Sequence, residues 1–345
     1  MVAYSTLVAP FLAFFIACLG TRALIGVLTR RAVLDRPNER SSHTVPVPRG
    51  GGIAVVAAVA AAWAWLAVTT LPATELAQWL APLAAALALG AISFADDLRD
   101  RGAGLRLGVQ ALAVAVGLWA LDGQGALAAV APAWIDLPLT ALGWLWFVNL
   151  YNFMDGIDGI TGTETVSIGV GLAGLAVLGL APPSVTGPAV ALAAAAVGFL
   201  VWNWHPARIF LGDVGSVPVG YLLGFLLVLV AGSGLVGLAA AATLPLVYLA
   251  DATITLARRV ARGESPVRAH REHFYQRAVI GGSSHSAVCV RIAAVNACLA
   301  SLAWFMAPVA ALAAPLVGAV VVAALFVALR PAPVPTATRT PARRA

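Results

Sequence analysis

Eleven apolar runs of helical length divide this chain, near residues 2–28, 51–71, 78–94, 107–121, 133–150, 163–181, 186–203, 217–231, 235–257, 288–307 and 310–329. About 20 consecutive apolar residues form a helix long enough to cross the hydrocarbon core of a bilayer, so the pattern predicts a polytopic membrane protein. The 107–121 run is short, and ten spans is the alternative count. Composition agrees: 61% of the 345 residues are apolar and 10% are charged, against roughly 25% charged in a soluble domain. The expected fold class is all-α. One integral-membrane domain covers residues 1–330, and a disordered cytoplasmic tail, rich in Pro, Thr and Arg, covers 331–345. No positive residue precedes the first run and no convincing small-residue cleavage site follows it, so it reads as an uncleaved first helix. Cys18, Cys289 and Cys298 have no paired spacing, which argues against a disulfide frame or a thiolate zinc site.

The chain has no lysine, and its 21 basic residues are all arginine. Arginines collect in alternate connections: 30–49, 96–106, 203–216, 258–285 and the tail from Arg330, with the loop after Asn152 on the same side. The links near 72–75, 122–132, 182–184, 232–234 and Pro308 carry no arginine. The positive-inside rule makes the arginine-bearing side cytoplasmic, which places the amino terminus outside and, with eleven spans, the carboxyl terminus inside. The ten tryptophans mostly fall near span ends and read as an interfacial belt.

Five polar clusters lie on the arginine-bearing side. The first loop carries His43 and Arg49, and its glycine run 50–52 opens a helix. Such a run could offer backbone N–H groups to a phosphate, or be an ordinary basic loop with a flexible helix start. Next come Asp96, Asp97 and Asp100, a compact anionic group suited to Mg²⁺, or a pair in which one carboxyl stays protonated. Arg99, Arg101 and Arg106 could equally balance them at a solvated helix end. In the third cluster Asn149, Asn152, Asp155 and Asp158 recur every three residues; if the helix continues, they fan across one side. Glycines 156, 159 and 162 then let the backbone leave the helix. Carboxylates at a membrane edge are costly and are usually kept for an ion, a proton or a substrate. Fourth, Asp213 sits between Gly212 and Gly215 ahead of Ser216, after Asn203 and His205, as metal ligand or helix cap. The last and largest loop holds Arg258, Arg259, Arg262, Arg268, His270, Arg271, His273 and Arg277, a cationic group suited to a pyrophosphate or to anionic lipid. A metal site beside an anion site is the equipment of phosphoryl transfer, and a site at the membrane surface calls for a lipid acceptor.

In this order the motifs resemble the polyprenyl-phosphate N-acetylhexosamine-1-phosphate transferases of the glycosyltransferase family 4 type, which include the phospho-N-acetylmuramoyl-pentapeptide transferases. The resemblance rests on Asp35-Arg-Pro-Asn-x-Arg40 with Pro48-Arg-Gly-Gly51, on Asp96-Asp97, and on Asn149-x-x-Asn152-x-x-Asp155-Gly-x-Asp158-Gly159. It continues through Gly212-Asp-x-Gly-Ser216 to His270-x-x-His273, and so covers residues 35–277. It implies that Asp213 is a principal ligand of Mg²⁺, with Mn²⁺ as a substitute. It further implies that Asp96 and Asp97 engage the metal or the lipid phosphate, one of them as a base. Asp155 and Asp158, with Asn149 and Asn152, would shape the metal and nucleotide pocket, and His270, Arg271 and His273 would hold the donor. Arg277, Gly51, Arg49 and His43 complete the expected substrate-binding set.

The implied reaction is attack of undecaprenyl phosphate on the β-phosphate of a UDP-N-acetylhexosamine at a bacterial inner membrane, releasing UMP. The pentapeptide-transferase branch carries adjacent histidines in the last loop and lysines in the early motifs. This chain has neither, so it looks more like the branch that initiates O-antigen, capsule or other cell-wall glycans, with the pentapeptide transferase as the alternative. A cation-coupled transporter is the distant alternative; it needs ionisable groups near the bilayer midplane, where Asp251 is the nearest exception. A CDP-alcohol phosphatidyltransferase would follow Asp155-Gly156 with Ala-Arg, which is absent. The expected partners are membrane lipids and not nucleic acid. A homodimer stays open, because apolar helix surfaces look alike whether they face lipid or protein.

Overall fold

The computed structural model describes residues 2–37, 45–98, 102–265 and 270–330, so His43, Asp100, Arg268 and the 331–345 tail lie outside the described residues, as does the side chain of Asp97. Each of the apolar runs is helical. In chain order the elements are α1 (Val2–Arg30), β1 (Leu34–Asp35), β2 (Val47–Pro48), α2 (Gly52–Thr70), α3 (Leu76–Leu98), α4 (Ala103–Ala120) and α5 (Ala133–Phe153). There follow α6 (Ile160–Val177), α7 (Thr186–Asn203), α8 (Asp213–Gly232), α9 (Leu235–Thr243), α10 (Leu246–Ala261), α11 (Phe274–Ile280), α12 (His285–Ser301) and α13 (Ala313–Ala328). Among the described residues eight helices are long and apolar enough to span a membrane, and α9 with α10 makes a ninth if that pair, bent by 65°, is one span. The bend falls at Pro245, which brings no N–H to the helix ladder. The remaining two apolar helices, in α4 and α13, are shorter. The molecule is an all-α, multi-pass membrane protein.

The helix α8 is the hub. It packs against α2, α3, α5 and α6, and 94% of its apolar window is buried inside the protein. Close approach explains two of its glycines: a Cβ on Gly215 would lie 2.6 Å from the Cα of Gly52 in α2, and one on Gly224 would lie 2.3 Å from the Trp144 ring nitrogen. One buried apolar cluster runs from Ala9 in α1 to Leu329 beyond α13. Two tryptophans belong to it rather than to an interfacial belt. Trp63 donates to the Pro188 carbonyl at 3.1 Å, and Trp144 stacks on Tyr221 with ring centroids 5.1 Å apart. Trp134 and Trp119 stay exposed, as belt residues do.

At one end of the bundle the links are short and internally tied. Asp136, in the first turn of α5, accepts the N–H groups of Gly125 and Leu127, both at 2.8 Å. Gln78 reaches Asp122 at 2.6 Å. The opposite end carries the arginine-bearing loops, and there the polar clusters meet. A two-stranded antiparallel ribbon, β1 with β2, pairs Leu34 with Pro48 and leads the chain into α2.

Candidate active site

The segment that begins α8 sets the geometry. Gly212 has φ +75°, a conformation that costs a side chain dearly, and its carbonyl accepts the N–H groups of Gly215 and Ser216 at 2.9 and 3.0 Å. Asp213 is therefore the first helical residue of α8, where the helix dipole favours a negative charge. Its Oδ1 accepts from the Arg49 guanidinium at 2.7 Å and its Oδ2 from Asn152 at 3.4 Å. Asn152 in turn accepts from the Ser216 hydroxyl at 2.6 Å. Three distant motifs thus meet at one carboxylate.

The expected fan of four polar residues on a continuing helix is not what forms. Helix α5 ends at Phe153, and 154–159 is a non-helical connection closed by Gly159 at φ +80°. Asn149 and Asn152 remain on the last turns of α5, whereas Asp155 and Asp158 turn in different directions. Asp155 accepts from the Thr161 hydroxyl at 2.7 Å. Burial raises its carboxyl to about 6; the Thr161 hydrogen bond opposes this, the Asp213 charge adds to it and Arg49 offsets part of it.

Asp158 faces away, into a second cluster. It accepts from His205 Nδ1 at 2.6 Å and from the Ala207 N–H at 3.1 Å, while its own N–H donates to His285 Nδ1 at 3.2 Å. Burial would raise this carboxyl, but the hydrogen bonds with His285, His205 and Ala207 outweigh it and hold it below the ordinary value. Among the described residues, donor atoms of Asp158, His205 and His285 gather within 4.8 Å of one another. Sequence reading noted His205 but missed His285, because a single histidine opening an apolar run carries no spacing signal.

A cleft of about 120 Å³ lies between α3, α4, α5 and α8. Asp96, Arg106, Asp213, Asn149, Asn152 and Gln110 line it, together with apolar side chains such as Leu89, Leu107, Phe153 and Val217. Asp96 is paired with Arg106 at 3.2 Å, as a charge-balanced helix end would be, yet it faces the cleft. Asn149 donates to Gln110 and to the Leu145 carbonyl, both at 2.8 Å. Gln110 sits inside a short apolar run and was not singled out from sequence.

Two expectations need correction. The N–H groups of Gly50 and Gly51 both donate to the Phe210 carbonyl, at 3.1 and 2.9 Å, and that of Gly52 to the Leu211 carbonyl at 2.9 Å. They are not available to a phosphate; the run is glycine because Gly51 and Gly52 pack against Phe199, Phe210 and Gly215. The last loop is also less cationic than its sequence. Arg259 and Arg262 are paired with Glu272 and Glu264, and Arg258 lies over the Phe274 ring at 5.1 Å. Of the residues expected to hold a donor, His270 and Arg271 are half-buried, Arg277 is exposed, and His273 is only 2% exposed.

Residues 79–231 match the model of glycosyl transferase family 4. A Streptomyces coelicolor protein described in general terms as a glycosyltransferase is 35% identical over 77% of this chain and 64% of its own length. This chain thus spans just under two thirds of that relative. A Bacillus subtilis protein named as a probable undecaprenyl-phosphate N-acetylglucosaminyl 1-phosphate transferase is 28% identical over 79% of this chain and 78% of its own. The decaprenyl-phosphate N-acetylglucosaminephosphotransferase of Mycolicibacterium smegmatis is 30% identical over 72% and 69%. The chain belongs to glycosyl transferase family 4, among the polyprenyl-phosphate N-acetylhexosamine-1-phosphate transferases.

Proposed function

We propose that the protein transfers an N-acetylhexosamine 1-phosphate from a UDP-sugar to undecaprenyl phosphate, initiating a cell-envelope glycan at the inner membrane with its active site in the cytoplasm. The observation that carries this reading is the cleft lined by Asp96 and Asp213 together with three carboxamides and several apolar side chains. An apolar wall at a membrane helix bundle suits a prenyl chain, and the polar floor suits its phosphate. The names of the Bacillus and Mycolicibacterium relatives supply the substrate class.

The donor set fits Mg²⁺. Asp213, Asp155 and the Asn152 amide offer oxygens, the ligands this hard cation prefers. A bound cation would supply charge neutralisation at the phosphates. The rest follows from the chain's own side chains. Arg106 beside Asp96 and Arg49 beside Asp213 can turn from their carboxylates towards phosphate oxygens. Asn149 and Asn152, braced by Gln110 and Ser216, orient what enters the cleft. In the balanced reaction an oxygen of the lipid phosphate bonds to the β-phosphorus, the bond from that phosphorus to the bridging oxygen breaks, and UMP leaves. The polyprenyl phosphate is already anionic near neutral pH, so catalysis is mainly positioning and charge neutralisation.

The test is direct. The full chain in membranes or nanodiscs, given undecaprenyl phosphate and a panel of UDP-N-acetylhexosamines, should release UMP with at least one of them and form a lipid-linked sugar pyrophosphate. No UMP from any donor would overturn the proposal, and turnover only with UDP-MurNAc-pentapeptide would move the chain to the peptidoglycan branch.

A further inference from the structure

Asp251 is the carboxylate that best suited a transporter, since it lies within a span and the site described above does not use it. In the structure it is 1% exposed and fully engaged. Its Oδ1 accepts from His273 Nδ1 at 2.9 Å and from the Phe274 N–H at 3.1 Å; its Oδ2 accepts from the Tyr275 N–H at 3.3 Å. Thr255, one turn along α10, donates to it at 3.2 Å. One buried side chain of α10 therefore holds both the start of α11 and the histidine before it. A ring that donates from Nδ1 has one orientation open to it, so the tether fixes the plane of His273 as well as its place.

His273 then acts as a platform. The half-buried ring of His270 stacks on it, with centroids 4.9 Å apart and planes 29° apart, and the Tyr275 ring lies 5.6 Å from it at 22°. His270 Nδ1 accepts from the Glu272 N–H at 3.4 Å, which leaves the proton on Nε2. Burial, helped by the charges of His273 and Arg259, holds His270 down to about 4, so near neutral pH it is an uncharged ring with one N–H to donate. The sequence pattern His-x-x-His suggests two equivalent ligands, but the structure separates them into a buried support and an accessible donor.

We propose that Asp251 is a positioning residue for the sugar-nucleotide donor: by holding His273 and the first turn of α11 it sets the His270 ring against a polar oxygen of that donor. The inference rests on the reading given under Proposed function.

The experiment uses the full chain in nanodiscs with UDP-N-acetylglucosamine and undecaprenyl phosphate. Asp251→Asn should raise the KM for the nucleotide sugar about tenfold or more, the scale of one lost charge-assisted hydrogen bond, and leave the KM for the lipid phosphate unchanged. His270→Ala should show the same donor defect, and the double variant should be no worse than His270→Ala alone, because one residue acts through the other. Wild-type behaviour of Asp251→Asn, parallel rises in both KM values, or additive defects would overturn the inference. If Asp251→Asn does not survive extraction, Asp251→Glu replaces it in the same cycle, with the same non-additivity expected and additivity again decisive against it. The imidazole ¹⁵N spectrum of His273 gives a readout independent of turnover. Nδ1 should be protonated in the wild type and change in the Asp251 variant; an unprotonated Nδ1 in the wild type overturns the tether even if no UDP-sugar is turned over.

Discussion

Asp213 shows how one residue gathers distant sequence. Arg49 lies 164 positions away and Asn152 lies 61 away, yet both reach its two oxygens. Asp213→Asn keeps the shape of the side chain and removes the charge that Arg49 and a cation would share. Loss of groups that merely support a metal ligand costs 10–100-fold, so if Asp213 holds the proposed cation its loss should lower transfer at least about 100-fold. Yield after extraction and the unfolding temperature should stay close to wild type, since α8 retains its glycine start; a UMP-release assay with near-normal turnover would remove Asp213 from the site. Glu164 is the converse case, a residue whose importance no motif announces. It lies inside α6 at 0% exposure and accepts from Asn296 at 2.7 Å. By spans alone the helix interiors look nearly free of charge apart from Asp251. Glu164 escaped because it falls at the start of its apolar run, and its partner lies 132 residues on.

At the level of elements, the contact between α2 and α8 decides whether the site exists at all. Gly52 and Gly215 meet backbone to backbone, and the carbonyls of Phe210 and Leu211 take the N–H groups of residues 50–52. Gly52→Ala would place a methyl 2.3 Å from the Gly215 Cα and N. The neighbours are main chain and cannot rotate away, so the helices must part. Overpacking of this kind costs about 1–3 kcal/mol. The expected outcome is a lower unfolding temperature together with reduced turnover, because Arg49 leaves Asp213 when β2 shifts. An unchanged unfolding temperature would show that the crossing is looser than the backbone distance implies. The helices themselves were legible because burial in lipid forces long apolar runs. The glycine run was legible as a signal but not in meaning: one sequence cannot tell an N–H offered to phosphate from one consumed by a carbonyl. The last loop misled for a related reason. Counting arginines ignores their partners, and Glu264 and Glu272 tie up two of them.

For the whole molecule the question is why the chemistry sits at one end. The arginine-bearing interhelical segments, from the ribbon before α2 to the start of α12, bring their polar residues to the same end, while at the other end Asp136 and Asp122 are spent on holding short links. Two groups of side chains with different donor chemistry lie within that end. Asp213, Asp155 and Asn152 carry oxygens, whereas Asp158 with His205 and His285 adds two ring nitrogens, and both sets are engaged in hydrogen bonds. Hard cations choose the first set and zinc would choose the second. Treating the protein with EDTA should therefore abolish UMP release, and Mg²⁺ or Mn²⁺ should restore it while Zn²⁺ does not. The His205→Ala variant separates the two clusters. If the oxygen set carries the reaction, this variant should show the same EDTA sensitivity and the same rescue by Mg²⁺ as the wild type. Indifference to chelation would take the metal out of the mechanism. Rescue by Zn²⁺ that disappears in His205→Ala would move the metal to the histidine cluster and leave Asp213 as a partner for Arg49 alone.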